Sequence, residues 1–108
     1  DTFCSHRSSR TCRLLQRQIQ QINYFQVRAY LIGLNTFEPG QEHPLHAHAG
    51  MDKVYHVIEG SGLFLLDANE VPMHAGMLLV APDGVPHGIR NTGSERLLVL
   101  AVLAPAPA

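Results

Sequence analysis

The stretch GMLLVAPDGVPHGIRN, residues 76–91, reads as strand, turn, strand. Residues 77–81 form an unbroken apolar run of strand length, closed on one side by Gly76 and on the other by Pro82-Asp83-Gly84. Proline presets the backbone for a turn, and glycine takes the positive φ that a Cβ disfavours, so the chain reverses there. Residues 85–89 then resume an extended pattern carrying one histidine, His87, until Asn91-Thr92-Gly93-Ser94 turns the chain again.

The same grammar extends in both directions. C-terminally, 97–103 is a further apolar strand. N-terminally, 54–58 is β-rich, Glu59-Gly60-Ser61-Gly62 turns the chain, and 63–66 is expected to return as its hairpin partner, with Asp67-Ala68-Asn69-Glu70 as the next turn. Residues 27–37 alternate Val27, Ala29 and Leu31 with Arg28 and Tyr30 and run to Phe37 before Pro39-Gly40 breaks the strand. Short strands separated by Gly, Pro and Asn, with no helical period after residue 26 and no internal repeat, predict an all-β antiparallel jelly-roll barrel.

A chain of 108 residues holds one core, and 45% apolar with 16% charged residues is the composition of a folded globular domain. Formal net charge is −1, and no segment provides a helix-turn-helix, so neither electrostatics nor motif points to nucleic acid. The longest apolar run, 97–104, is too short to cross a hydrocarbon core, and the expected protein is soluble and cytoplasmic, with Cys4 and Cys12 as reduced thiols.

The N-terminus differs in character. Residues 2–21 carry Arg7, Arg10, Arg13 and Arg17 and no acid, as in a transit segment or a vector-derived tag. Leu15, Ile19 and Ile22 share one helical face, so a short amphipathic helix is expected over 13–23. The chain is thus divided into an arm over 1–26, a barrel over 27–104 and a frayed tail over 105–108. Apolar, sparsely charged strands at 97–103 and a 27–37 edge leave more β surface than one small barrel covers. A homodimer is therefore expected, the arm covering an edge.

Seven histidines are the unusual feature of the composition. His46 and His48 are two apart, which in extended chain puts both imidazoles on one face, able to share an ion. Two such residues alone are weak evidence. His87 becomes the third ligand if its strand folds back across the barrel, because a sheet brings distant segments together.

At this point the residues form a familiar set. Gly40, five residues, His46-Ala-His48 and, further on, Gly60 resemble the first motif of the cupin superfamily. Gly76, five residues, Pro82-Asp-Gly84, two, His87, three, Asn91 resembles the second at every fixed position. The resemblance, to the small single-domain cupins of the conserved-barrel type, covers about residues 27–103. It implies a double-stranded β-helix with both motifs facing one pocket, and one divalent transition metal, Zn, Ni, Fe, Mn or Cu, held by His46, His48 and His87. Imidazole donors suit such ions better than Mg or Ca. The glycines and Pro82 are scaffold, and the histidines carry the chemistry.

One position departs from the pattern. Lys53 stands where the resemblance places a glutamate ligand, seven residues before Gly60. An ammonium about 5 Å from a divalent ion would cost roughly 6–7 kcal/mol at an effective dielectric of 20. Lys53 escapes that cost by swinging outward, by losing its proton or by pairing with Asp52, and the outward swing is the expectation. Tyr55, Phe37 and Phe64, with Tyr30 and Met77, are apolar candidates for the pocket wall, core packing being the simpler role for each. His56 is a substitute ligand or pocket residue, but points outward if Lys53 and Tyr55 point inward; His43 and His74 are weaker candidates still.

No catalytic residue stands out. The resemblance permits a metal-dependent oxygenase or isomerase acting on a small organic substrate. It equally permits a non-catalytic module that binds a sugar or other metabolite in the same pocket with weak or no metal binding, and the missing carboxylate favours this second function.

Overall fold

The computed structural model describes residues 19–107. Nine strands run in chain order: β1 (Gln20–Gln26), β2 (Leu31–Phe37), β3 (Glu42–His46), β4 (Asp52–Glu59), β5 (Ser61–Leu66), β6 (Glu70–His74), β7 (Leu78–Ala81), β8 (His87–Arg90) and β9 (Leu97–Ala104). They form two antiparallel sheets, ordered β1-β2-β9-β4-β7 and β3-β8-β5-β6, whose inner faces enclose the core. This is the expected all-β jelly roll. No helix among the described residues is long and apolar enough to cross a membrane.

Alternation decides which side chains face inward. On β2 the buried positions are Gly33, Asn35 and Phe37, on β4 Lys53, Tyr55 and Val57, and on β9 Leu97, Val99 and Ala101. Antiparallel register lines these up in rows across β9: Leu97 pairs with Phe37, Val99 with Asn35 and Val57, Ala101 with Gly33 and Tyr55, and Leu103 with Leu31 and Lys53. Large side chains occupy the first rows and pack with Phe64, Met73 and Ile89 of the other sheet. Gly33 and Ala101 are small, so the later rows leave a cavity in place of core.

The expected 54–58 and 63–66 hairpin does not form. β4 pairs with β7 and β9, while β5 pairs with β6 and β8 in the other sheet. The Glu59–Gly60 corner therefore carries the chain between sheets. Gly60 sits there at φ 89°, and a Cβ on it would collide with the Arg96 carbonyl oxygen, so a side chain cannot be placed without moving the backbone. The hairpin of β5 is made instead with β6, which begins at Glu70, a residue read from sequence as turn.

The arm also differs from expectation. Residues 13–18 lie outside the described residues, as do Cys4 and Cys12, but Gln20–Gln26 is a strand and not a helix. The helical spacing of Ile19 and Ile22 is overridden by pairing with β2, which gives partners to the backbone groups on that side of the segment. The sheet thus extends N-terminally of residue 27. With β1 added, neither 27–37 nor 97–103 is an edge: β2 is flanked by β1 and β9, and β9 lies between β2 and β4. The edges of that sheet are β1 and β7. At the C-terminus, the Ala106 amide donates to the Arg28 carbonyl at 3.2 Å and Gln26 Nε2 donates to the Pro107 carbonyl at 3.1 Å, which ties the expected frayed tail to the β1–β2 turn.

Candidate metal centre and ligand pocket

His46 closes β3 and His87 opens β8, and the two are direct register partners. His48 follows two residues on from His46. The ring centroids are 4.3 Å apart for His46 and His87, 4.9 Å for His46 and His48, and 5.4 Å for His48 and His87. One ligand nitrogen from each lies within 4.8 Å of the others. The three predicted histidines therefore converge, as the sheet argument requires.

Their hydrogen bonds define the tautomer. His46 Nδ1 lies 2.8 Å from the Pro44 carbonyl oxygen and His87 Nδ1 2.9 Å from that of Val85. A carbonyl only accepts, so each Nδ1 carries the proton and each neutral ring keeps a bare lone pair on Nε2. The buried Nε2 atoms of His46, His48 and His87 have no protein partner. Three unpartnered ring nitrogens in one space are costly unless something fills them, and a cation with open coordination sites is what imidazole nitrogens satisfy. Burial, reinforced by the neighbouring positive groups, holds His48 below the usual imidazole range, and burial does the same for His87 despite its backbone hydrogen bond. Both are then neutral and competent donors at pH 7.

Backbone contacts aim these rings. Gly84 N donates to the His48 carbonyl, Gly50 N to Asp83 Oδ1 at 2.7 Å and Asp83 N to Asp52 Oδ1 at 2.8 Å, so the Pro82-Asp83-Gly84 turn pins the segment that carries His48. Asp52 is thus an exposed turn partner. It lies on the face of β4 opposite Lys53 and outside the cavity wall, so it is not a pocket residue, and of the three escapes weighed for Lys53 the pairing with Asp52 is not the one taken. Gly88 lets β8 approach β3 closely, since a Cβ there would lie 2.6 Å from the His43 carbonyl oxygen. Asn91 is buried and fully satisfied: Nδ2 donates to the carbonyls of Phe37 at 2.9 Å and Glu95 at 2.8 Å, and Oδ1 accepts from Gly93 N.

Beside the triad opens a cavity of about 320 Å³, lined by both sheets. Lys53 is part of its wall, and only 4% of its surface is exposed. The expected outward swing does not occur. Strand parity puts Lys53 on the inner face with Tyr55 and Val57, and its Nζ rests 5.0 Å above the Tyr55 ring centre. Burial pulls Lys53 down to about 8, which leaves it mostly cationic at pH 7. Tyr55 lies beneath, its ring centre 6.1 Å from that of His87; its hydroxyl is unpartnered and held protonated by burial.

The other pocket candidates fall elsewhere. Phe37 and Phe64 are core residues, and His56 sits on the outer face of β4 beside Leu78 and Leu100, because even-numbered residues of that strand point away from the core. His43 was underrated by sequence. It stands three positions before His46, which in a regular strand places the two on opposite faces, but a register shift between them brings both rings together at 4.1 Å. Burial and the adjacent histidines and Lys53 push His43 down to about 4. Gln21, Asn23 and Asn35 also line the cavity and were not anticipated; the polar Asn35 in phase with Phe37 was the available signal.

The profile of the cupin domain family matches residues 33–103, and with this fold and triad the chain belongs to the cupin family. It is 34% identical over 76 residues to an oxalate-binding protein of Thermotoga maritima, covering 70% of this chain and 63% of that protein. It is 35% identical over 85 residues to auxin-binding protein 1 of Arabidopsis thaliana, covering 70% and 42%. The chain therefore spans less than two thirds of the length of these two relatives. Among solved structures, the Thermus thermophilus protein TT1209 superposes with a TM-score of 0.79 at 38% identity, over 83% of this chain and 86% of that one.

Proposed function

We propose that this chain holds one divalent transition metal through Nε2 of His46, His48 and His87 and presents it to a small organic molecule in the adjoining cavity. The carrying observation is the set of three buried, unpartnered Nε2 atoms, two of them with their Nδ1 protons committed to backbone carbonyls. A bound ion would supply Lewis acidity with open positions for oxygen donors. The protein orients the imidazoles, holds His48 and His87 below the usual imidazole range and walls off the cavity.

Reversible binding is the favoured role. No carboxylate lines the cavity among the described residues, so its wall offers imidazoles and one ammonium but no acidic partner for them. Oxygenase or isomerase turnover is the second reading, supported by the coordination positions that three ligands leave open. Protein produced in metal-replete medium and analysed for elements tests both. About one zinc or nickel per chain supports the receptor, stoichiometric iron, manganese or copper supports oxygen chemistry, and no retained ion removes the metal site.

A homodimer is part of the proposal. It is supported by Ile22, Tyr24 and Phe25, which are exposed on edge strand β1, and by Leu78 and Val80 on edge strand β7. Light scattering at tens of micromolar protein giving a monomer mass refutes it.

A further inference from the structure

The cavity contains a cation and offers it no anion. Lys53 is buried against the Tyr55 ring, and the ion pairs among the described residues join Arg90 to Glu42 and Glu70 and Arg96 to Glu38, leaving Lys53 without a carboxylate. Across the ladder its neighbours are Leu103 and Ala81. The remaining polar wall, made of imidazoles and the side-chain amides of Gln21, Asn23 and Asn35, carries no anion. A lysine kept for packing would lay its stem on the apolar surface and lift its head into water or toward an acid. This one does neither.

Loading the triad, the reading on which this inference rests, adds two more positive charges to the same cavity. Buried charge of one sign without a partner is strongly unfavourable, and the wall has nothing to offset it. The compensating group must come with the ligand.

We propose that Lys53 is the anion anchor of this pocket, which takes a small carboxylic acid with one carboxylate on the Lys53 ammonium and its remaining oxygens toward the face formed by His46, His48 and His87. The volume suits a molecule of this class, since about 320 Å³ lies at the small end of ligand cavities. Space for it exists because Gly33 and Ala101, paired across β2 and β9, bring no side-chain bulk. Asn35, itself buried, and the Asn23 amide above Gly33 supply donors for the oxygens that Lys53 does not reach.

The test is calorimetric titration of zinc-loaded wild type, Lys53→Met and Lys53→Gln with oxalate, malonate and the uncharged oxamide, with zinc affinity followed in parallel by chelator competition. Wild type is expected to bind at least one of the two acids and not oxamide, and both variants to bind that acid about 10- to 100-fold more weakly. Zinc affinity in the variants is expected to rise, which separates loss of the anchor from loss of the metal. Equal acid binding by wild type and both variants, or no acid binding by wild type, overturns the proposal. If the protein takes no zinc, the metal reading fails by itself. The metal-free titration then decides the anchor: a loss confined to the Lys53 variants supports it, and acid binding independent of position 53 or absent from wild type refutes it.

Discussion

His46 and His87 are direct partners across the β3–β8 ladder, with ring centroids 4.3 Å apart although they stand 41 positions apart in the chain. A non-local backbone pairing thus does what spacing alone does for His46 and His48. The site is built at the seam between one local and one long-range relationship, which makes its residues separable by mutation.

His87→Ala is expected to weaken zinc binding at least about 100-fold, because two imidazoles from one short segment cannot close a tetrahedral site. Metal-free stability should change little, since the variant also removes a buried nitrogen with no partner. Chelator competition and urea denaturation measure the two effects separately, and an unchanged zinc affinity would remove His87 from the site.

His43 makes the metal-free fold sensitive to acid. Its folded value is near 4 against an ordinary 6.5, chiefly through burial. The unfolded chain therefore takes up the proton first, so the stability linked to this group is intact above about pH 6.5, is lost as pH falls toward 4, and levels off below that. His43→Phe should flatten the fall in urea midpoint between these limits, and an undiminished slope would assign the acid sensitivity elsewhere.

Lys53 carries the opposite opportunity. Burial lowers it from 10.5 to about 8, so the unfolded state binds more protons between those values and metal-free stability should climb as pH rises through that window. Lys53→Met keeps the length of the stem and removes the charge. It should stabilise the metal-free protein by up to about 3 kcal/mol at pH 7, the gain shrinking to near zero above about pH 10.5. Thermal melts at pH 7 and pH 10.5 are the comparison, and a destabilised variant at pH 7 would show that packing of the ammonium outweighs its desolvation.

Asn91 ties the end of β2 to the loop after β8 by hydrogen bonds to Phe37, Glu95 and Gly93. Asn91→Ala strands two carbonyls and an amide in a buried place and should cost about 2–4 kcal/mol, read as a fall in urea midpoint. Because these bonds hold the segment after β8 and not the imidazoles, zinc affinity of the folded variant should stay within about threefold of wild type.

The local chemistry of the chain was enough to predict strands punctuated by Gly, Pro and Asn and the all-β class, since turn residues and two-residue alternation act over a few positions; His87 was set beside His46 and His48 by the resemblance of the two motifs. Three features were decided only in three dimensions. β4 and β5 read as a hairpin but belong to different sheets, because pairing depends on which distant strand, β9 or β8, arrives alongside. Residues 20–23 have helical spacing yet form a strand, because a neighbouring strand supplies hydrogen-bond partners that no local pattern reveals. His43 joins the triad through a register shift that reverses strand parity, and Lys53 faces inward because parity on β4 is kept. Sequence periodicity sets the alternation of faces, but which face meets the core, and where the alternation slips by a residue, follow from contacts made across the whole barrel.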